Sequence, residues 1–131
     1  MKITGKKSFS MEAEGTEKGE VRNQGEFSIA LTGLTMPLKT DVRLEKDDAN
    51  IVIGLGGITT VKFLHILADF DDDTVANADV EFLVNDGGGE VGITGKSMML
   101  EDTDLTSLKL TNNSHDSTGS DATVFIDLAG D

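Results

Sequence analysis

Apolar and polar residues alternate along most of this chain with a period of two. "SFSMEAE" sets Phe9, Met11 and Ala13 against Ser8, Ser10, Glu12 and Glu14. "EFSIALTG" puts Phe27, Ile29 and Leu31 on one side, and "TDVRLEK" does the same with Val42 and Leu44. Later come Val80, Phe82 and Val84 in "DVEFLVND", Leu108 and Leu110 in "LTSLKLTN", and Val124, Ile126 and Leu128 in "ATVFIDLAG". Alternation over short runs predicts strands with one face in a core and the other in water. "NIVIGLGG", "EVGITG" and "KSMMLED" read as shorter strands. The separators "EGTEKGE", "DDAN", "LGG", "NDGGGE" and "NNSHDSTGSD" are rich in Gly, Asn, Asp and Ser, which turn chains through positive φ or side-chain hydrogen bonds. The lone proline, Pro37, cannot donate to a ladder and is expected at a strand start or sheet edge. No segment keeps three- and four-residue apolar spacing for three turns. The pattern predicts an all-β fold with little or no helix: about eight or nine short antiparallel strands in a β-sandwich or a jelly-roll-like barrel.

"ITTVKFLHILADF" breaks the alternation. Val61, Phe63, His65 and Leu67 fall on one side and Lys62, Leu64, Ile66 and Ala68 on the other, so both sides are largely apolar. Either both faces are buried within the chain, or the outward face is covered by another chain. With Lys62, Leu64 and Ile66 taken as outward, these residues are the expected interface, joined by Lys6 and Lys7 from the N-terminal segment.

Length and charge narrow the picture. A chain of 131 residues suits one domain spanning 1–131, with residues 1–20 as an extended N-terminal arm or edge strand. Without cysteine there are no disulfides and no thiol chemistry. No apolar run approaches a transmembrane helix, and the start lacks a signal-peptide core, so a soluble cytoplasmic product without membrane association is expected. The net charge of −13 disfavours binding to nucleic acid. That charge is uneven: residues 1–46 carry a net +1 and residues 47–131 a net −14. An N-terminal third that lies against a partner would produce this split, and so would a β-protein kept soluble by charged loops.

Candidate chemistry is sparse. Asp69, Asp71 and Asp73 stand at alternate positions, the spacing that opens a helix–loop–helix calcium loop. Continuing that register puts Thr74 where glycine is needed and Val80 where a bidentate glutamate should close the site, which excludes that family. Two readings stay open: a β-loop calcium site using Asp69, Asp71 and Asp73 with Asn77 or Asp79, or a solvated acidic turn between strands. The glycines of "GLGG" and "GGG" fit turns and lack the rest of any nucleotide-binding motif. His65 sits in an apolar strand. His115 stands beside Ser114 and Asp116, but adjacency in sequence does not make a triad. Trp and Tyr are absent, which removes the aromatic platforms used to stack sugars and bases. A non-enzymatic protein without a bound cofactor is expected, with a calcium-dependent ligand-binding sandwich as the alternative.

Residues 56–131 have a recurrent cadence. "GITTVKFLHILADFDDDTVANADVEFLVN" is followed by "GITGKSMMLEDTDLTSLKLTNNS" and then "ATVFIDLAGD". This cadence of strands and loaded turns resembles small β-sandwich structural proteins of tailed-bacteriophage virions. The resemblance implies a virion protein made in the host bacterial cytoplasm, foremost a capsid decoration (cement) protein that binds and stabilises the head. Tail, fibre and head–tail joining proteins are alternatives. The implied partners are the major capsid protein or another virion structural protein, together with further copies of the chain as a homo-oligomer, for which a trimer is one form. Residues 1–55 carry no such resemblance.

Overall fold

A computed structural model describes residues 2–12, 18–30, 36–85, 89–115 and 117–131. The connections at 13–17, 31–35 and 86–88 therefore lie outside the described residues, and with them parts of the predicted turns "EGTEKGE" and "NDGGGE". Ten strands follow one another: β1 (Lys2–Glu12), β2 (Lys18–Ala30), β3 (Met36–Leu44), β4 (Ile51–Val52), β5 (Val61–Phe70), β6 (Val80–Asn85), β7 (Glu90–Gly95), β8 (Ser97–Leu105), β9 (Ser107–Asn112) and β10 (Ala122–Gly130). There is no helix among the described residues.

The chain divides into two compact units, Met1–Thr32 and Gly33–Asp131. The first is an antiparallel hairpin of β1 and β2, with Lys2 opposite Ala30 and Phe9 opposite Arg22. Its register shifts between Lys7 and Ser8 and again between Ser10 and Glu12. The second unit is a sandwich of two antiparallel four-stranded sheets, ordered β3-β10-β5-β8 and β4-β9-β6-β7. Pro37 lies at the start of β3, an edge strand, where its missing N–H interrupts no ladder.

The alternating residues meet between the sheets. Leu44, Leu64, Ile66, Val124, Ile126 and Leu128 from one sheet face Val80, Phe82, Val84, Leu108 and Leu110 from the other, all buried. The chain crosses from sheet to sheet at single residues. Lys96 links β7 to β8, and its carbonyl accepts from Ala68 N–H at 2.7 Å. Thr106 links β8 to β9 and donates its N–H to the Asn85 carbonyl at 2.9 Å. The "LGG" turn closes through Ile58 N–H to the Leu55 carbonyl, with Gly56 and Gly57 at φ 62° and 87°.

β5 shows why the two-sided apolar strand was hard to read. Ala129 of β10 pairs with Phe63, and Gly130 pairs with Val61, which leaves Lys62 as an extra, bulged residue. A bulge inverts the side-chain parity beyond it. Val61 therefore joins Leu64, Ile66, Ala68 and Phe70 in the core, while Phe63, His65 and Leu67 face outward. The expected interface of Lys62, Leu64 and Ile66 is corrected accordingly: Leu64 and Ile66 are 0% exposed inside the chain's own core.

The bulge is held by the end of β10. Thr59 and Thr60 donate their N–H groups to the Asp131 carbonyl at 2.8 and 3.1 Å, and Asp131 N–H donates to the Thr60 carbonyl at 3.0 Å. The backbones approach so closely that a Cβ on Gly130 would lie 2.0 Å from the Thr60 carbonyl oxygen.

At one end of the sandwich a polar knot replaces apolar packing. Asn112 continues the inward row of Leu108 and Leu110 and is buried. Its amide Nδ2 donates to the carbonyls of Leu44 (3.3 Å) and Ser120 (2.9 Å). Its Oδ1 accepts from Ser114 N–H (2.9 Å) and from the Ser114 hydroxyl (2.7 Å). One side chain thus ties the end of β3 to the loop that leads into β10.

Two stability outcomes follow from these contacts. Gly130→Ala forces backbone apart at the bulge and is expected to cost about 1–3 kcal/mol or more, read as a lower midpoint in urea. Asn112→Ala strips partners from the buried Ser114 hydroxyl and is expected to cost about 1–3 kcal/mol in the same assay.

Candidate interaction face

The outward side of the sheet β3-β10-β5-β8 follows directly from the parity of its strands. Cross-strand partners share a face, so Asp41, Phe125, Leu67 and Ser97 form one row. Lys39, Asp127, His65 and Met99 form the next, and Pro37, Ala129, Phe63 and Glu101 the one beyond. Leu67 is 45% exposed, Phe125 38% and Met99 36%, and Phe63 and His65 are half-buried beside them. Large apolar side chains gathered on an outward sheet face are candidates for contact with another surface.

Paired charges share this face with the apolar side chains. Lys39 Nζ lies 3.4 Å from Asp127 Oδ1, and His65 Nδ1 lies 3.5 Å from Asp127 Oδ2. Lys62 pairs with Asp104 at the bulge. Arg43 holds Asp71 through two parallel hydrogen bonds, Nη1 to Oδ1 at 3.0 Å and Nη2 to Oδ2, and lies 3.4 Å from Asp121 Oδ2. The Asp127 pairs lie within the face, in the row between Phe125 and Phe63, and the Lys62 and Arg43 pairs lie towards its ends, so apolar and charged side chains are interspersed across it.

The aspartate loop takes a different form from a cation site. Asp69 lies on the outward face of β5, opposite Thr123, and Asp71 is turned to Arg43. Asp72 accepts from both the Thr74 hydroxyl (2.6 Å) and Thr74 N–H (3.0 Å), a side-chain-closed turn. Among the described residues no three acidic or histidine side chains converge as a metal would require. The set Asp69, Asp71 and Asp73 is therefore not assembled. The loop is instead fastened to β3 and to the end of the loop before β10, where Asp71 N–H donates to the Asp121 carbonyl (3.0 Å) and Asp72 N–H to the Ser120 hydroxyl (2.9 Å).

The remaining candidates are dispersed. Ser114 is wholly buried in the polar knot, and its Oγ accepts from Ser120 N–H at 3.1 Å, a structural role. His115 is exposed at the rim of an open polar cleft of about 530 Å³ lined also by Asp47, Asn77, Asp79 and Asn113, whereas Asp116 lies outside the described residues. Lys6 is exposed on β1, and the side chain of Lys7 lies outside the described set.

Phe125 and Met99 were missed by reading β5 alone. Phe125 had a legible signal: it is the one large apolar residue in the polar register of "ATVFIDLAG", between Thr123 and Asp127. Met99 had none, because "SMMLED" does not alternate.

The Arg43 hydrogen bonds hold the Asp71 carboxyl below the ordinary aspartate range, and the Thr74 hydroxyl does the same for Asp72. A depressed folded-state value stabilises the protein above the unfolded value of about 3.9 and is lost as pH falls through the folded value. Asp71→Asn is expected to lower the melting temperature modestly at neutral pH, less at high salt, with the gap to the parent chain closing below about pH 4. Melting curves across pH check this.

The chain matches no protein-family model, no curated protein and no solved structure.

Proposed function

We propose that this protein is a non-enzymatic structural component that docks another protein against the outward face of the sheet β3-β10-β5-β8. The observation that carries the reading is the cluster of Phe125, Leu67 and Met99, exposed together beside ion pairs. Such a surface binds by area and shape, with aromatic and aliphatic anchors at the centre and paired charges setting orientation. Lys39 and Arg43 stand on this face among Asp41, Asp69, Asp127 and Glu101, so it offers a partner charges of both signs.

The cadence of residues 56–131 carries the reading one step further, to a virion of a tailed bacteriophage and to the head surface in particular. There the partner is the major capsid protein, and the acidic loops of the sandwich face solvent. A decoration protein needs no pocket and no reactive group. It needs a stable, flat sheet whose outward side chains fit a repeating lattice.

The test is made on particles. Virions purified by density gradient from the source strain are expected to contain the protein in a fixed ratio to the major head protein. Phe125→Asp or Leu67→Asp is expected to reduce that occupancy about tenfold or more while leaving the melting temperature of the free protein nearly unchanged. Absence from purified particles, or full occupancy by both variants, defeats the proposal. Electron cryomicroscopy of the particles separates head from tail.

A further inference from the structure

Among the described residues the sandwich has four edge strands: β3, β8, β4 and β7. An edge displays unpaired backbone N–H and C=O groups, and proteins usually guard it with charge, proline or brevity. Three of these edges are guarded in those ways. β3 carries Pro37, Lys39, Asp41 and Arg43, β8 carries Glu101, Asp102 and Asp104, and β4 is two residues long. β7, "EVGITG", has no proline and one charge, Glu90, which is already paired with Lys109 at 2.9 Å.

The side chains of β7 show the same openness. Val91 stands opposite Val84 and Ile93 opposite Phe82, so both lie in the core-facing register of their sheet. Val84 and Phe82 are buried, yet Val91 is 57% and Ile93 41% exposed. The strand therefore presents an unguarded backbone edge together with two apolar side chains that its own sandwich does not cover.

We propose that β7 pairs antiparallel with β7 of a second copy of this chain across a two-fold axis, joining two four-stranded sheets into one of eight. A two-fold axis perpendicular to the sheet keeps core-facing residues opposite core-facing residues. With Gly92 opposite Gly92 of the second copy, Val91 falls against Ile93 of the second copy, and the same pair forms again on the other side of the axis. Every apolar residue the edge leaves open is then covered by its symmetry mate. Glu90 falls opposite Thr94, so no like charges meet.

Charge favours a second copy at this edge over the others. Two chains of net charge −13 repel each other, but segment 90–96 holds one Glu and one Lys and is neutral. β8, by contrast, would bring three acids to face three acids. The face proposed above to bind a protein partner belongs to the other sheet, so both surfaces can be used at once.

Light scattering over a concentration series tests the pairing. The parent chain is expected to rise towards twice its 13.9 kDa mass in the micromolar range. Val91→Lys and Ile93→Lys, each placing a charge where an apolar contact would form, are expected to weaken the dimer about tenfold or more. Phe125→Asp, on the other sheet, is expected to leave the dimer intact. Hydrogen exchange on the parent chain gives a readout that needs no variant: amides within residues 90–95 are expected to slow as concentration rises. A parent chain that stays monomeric at high-micromolar concentration, forms a trimer, or forms a dimer indifferent to both lysine substitutions overturns the proposal. So does exchange at β7 that does not change with concentration.

Discussion

Much of this structure depends on how the start of β5 is held. Lys62 is squeezed out as a bulge, and the carbonyl and N–H of Asp131 fasten Thr59 and Thr60 beside it. Gly130 allows the contact because a side chain there would collide with the Thr60 carbonyl. That local irregularity puts Val61 on the core side against the alternation of the rest of β5, which is a central strand of its sheet. Its neighbours must match it residue for residue. Pairing with β10 puts Leu64 and Ile66 in the core and turns Phe63, His65 and Leu67 outward, and the bulge brings Val61 to the core side as well.

The two ends and two faces of the sandwich are then specialised by different forces. Between the sheets the packing is apolar and close, with Phe82, Leu64, Ile66 and Ile126 almost wholly buried. At one end the core stops at Asn112, whose amide satisfies carbonyls and hydroxyls that no apolar residue could. Loop acids are tethered there: Asp71 through Arg43 and Asp121, Asp72 through Thr74 and Ser120. Acidic residues thus serve as fasteners as well as solubilising charge. On the outward face of β3-β10-β5-β8 the balance changes again, to apolar contact area interspersed with ion pairs.

These features agree with the docking role proposed above. Among the described residues, ordered polar groups hold loops and strand ends. Among the described residues, exposed apolar side chains gather on a sheet face and along a sheet edge, two places where a β-sandwich can meet another protein without rearranging. Each is built from strands, so each is rigid, and little conformational entropy remains to be lost on contact.

The amino-acid sequence by itself determined the all-β class, nearly every strand, the turns at "DDAN" and "LGG", and the edge position of Pro37. Those properties are local: side-chain alternation, positive-φ residues and a missing N–H act within a few residues. It also held one unused clue, the phenylalanine at 125 in a polar register. Only the tertiary structure decided the facing of β5, because pairing with β10, distant in the sequence, sets which side is buried, and a bulge beside Gly130 and Asp131 adds Val61 to it. The same holds for the aspartates of the loop after β5. Their spacing suits a cation, but Arg43 arrives from a distant strand and takes Asp71 first. Which apolar residues remain uncovered was likewise a matter of how far one sheet extends over the other, a quantity that no window of sequence contains.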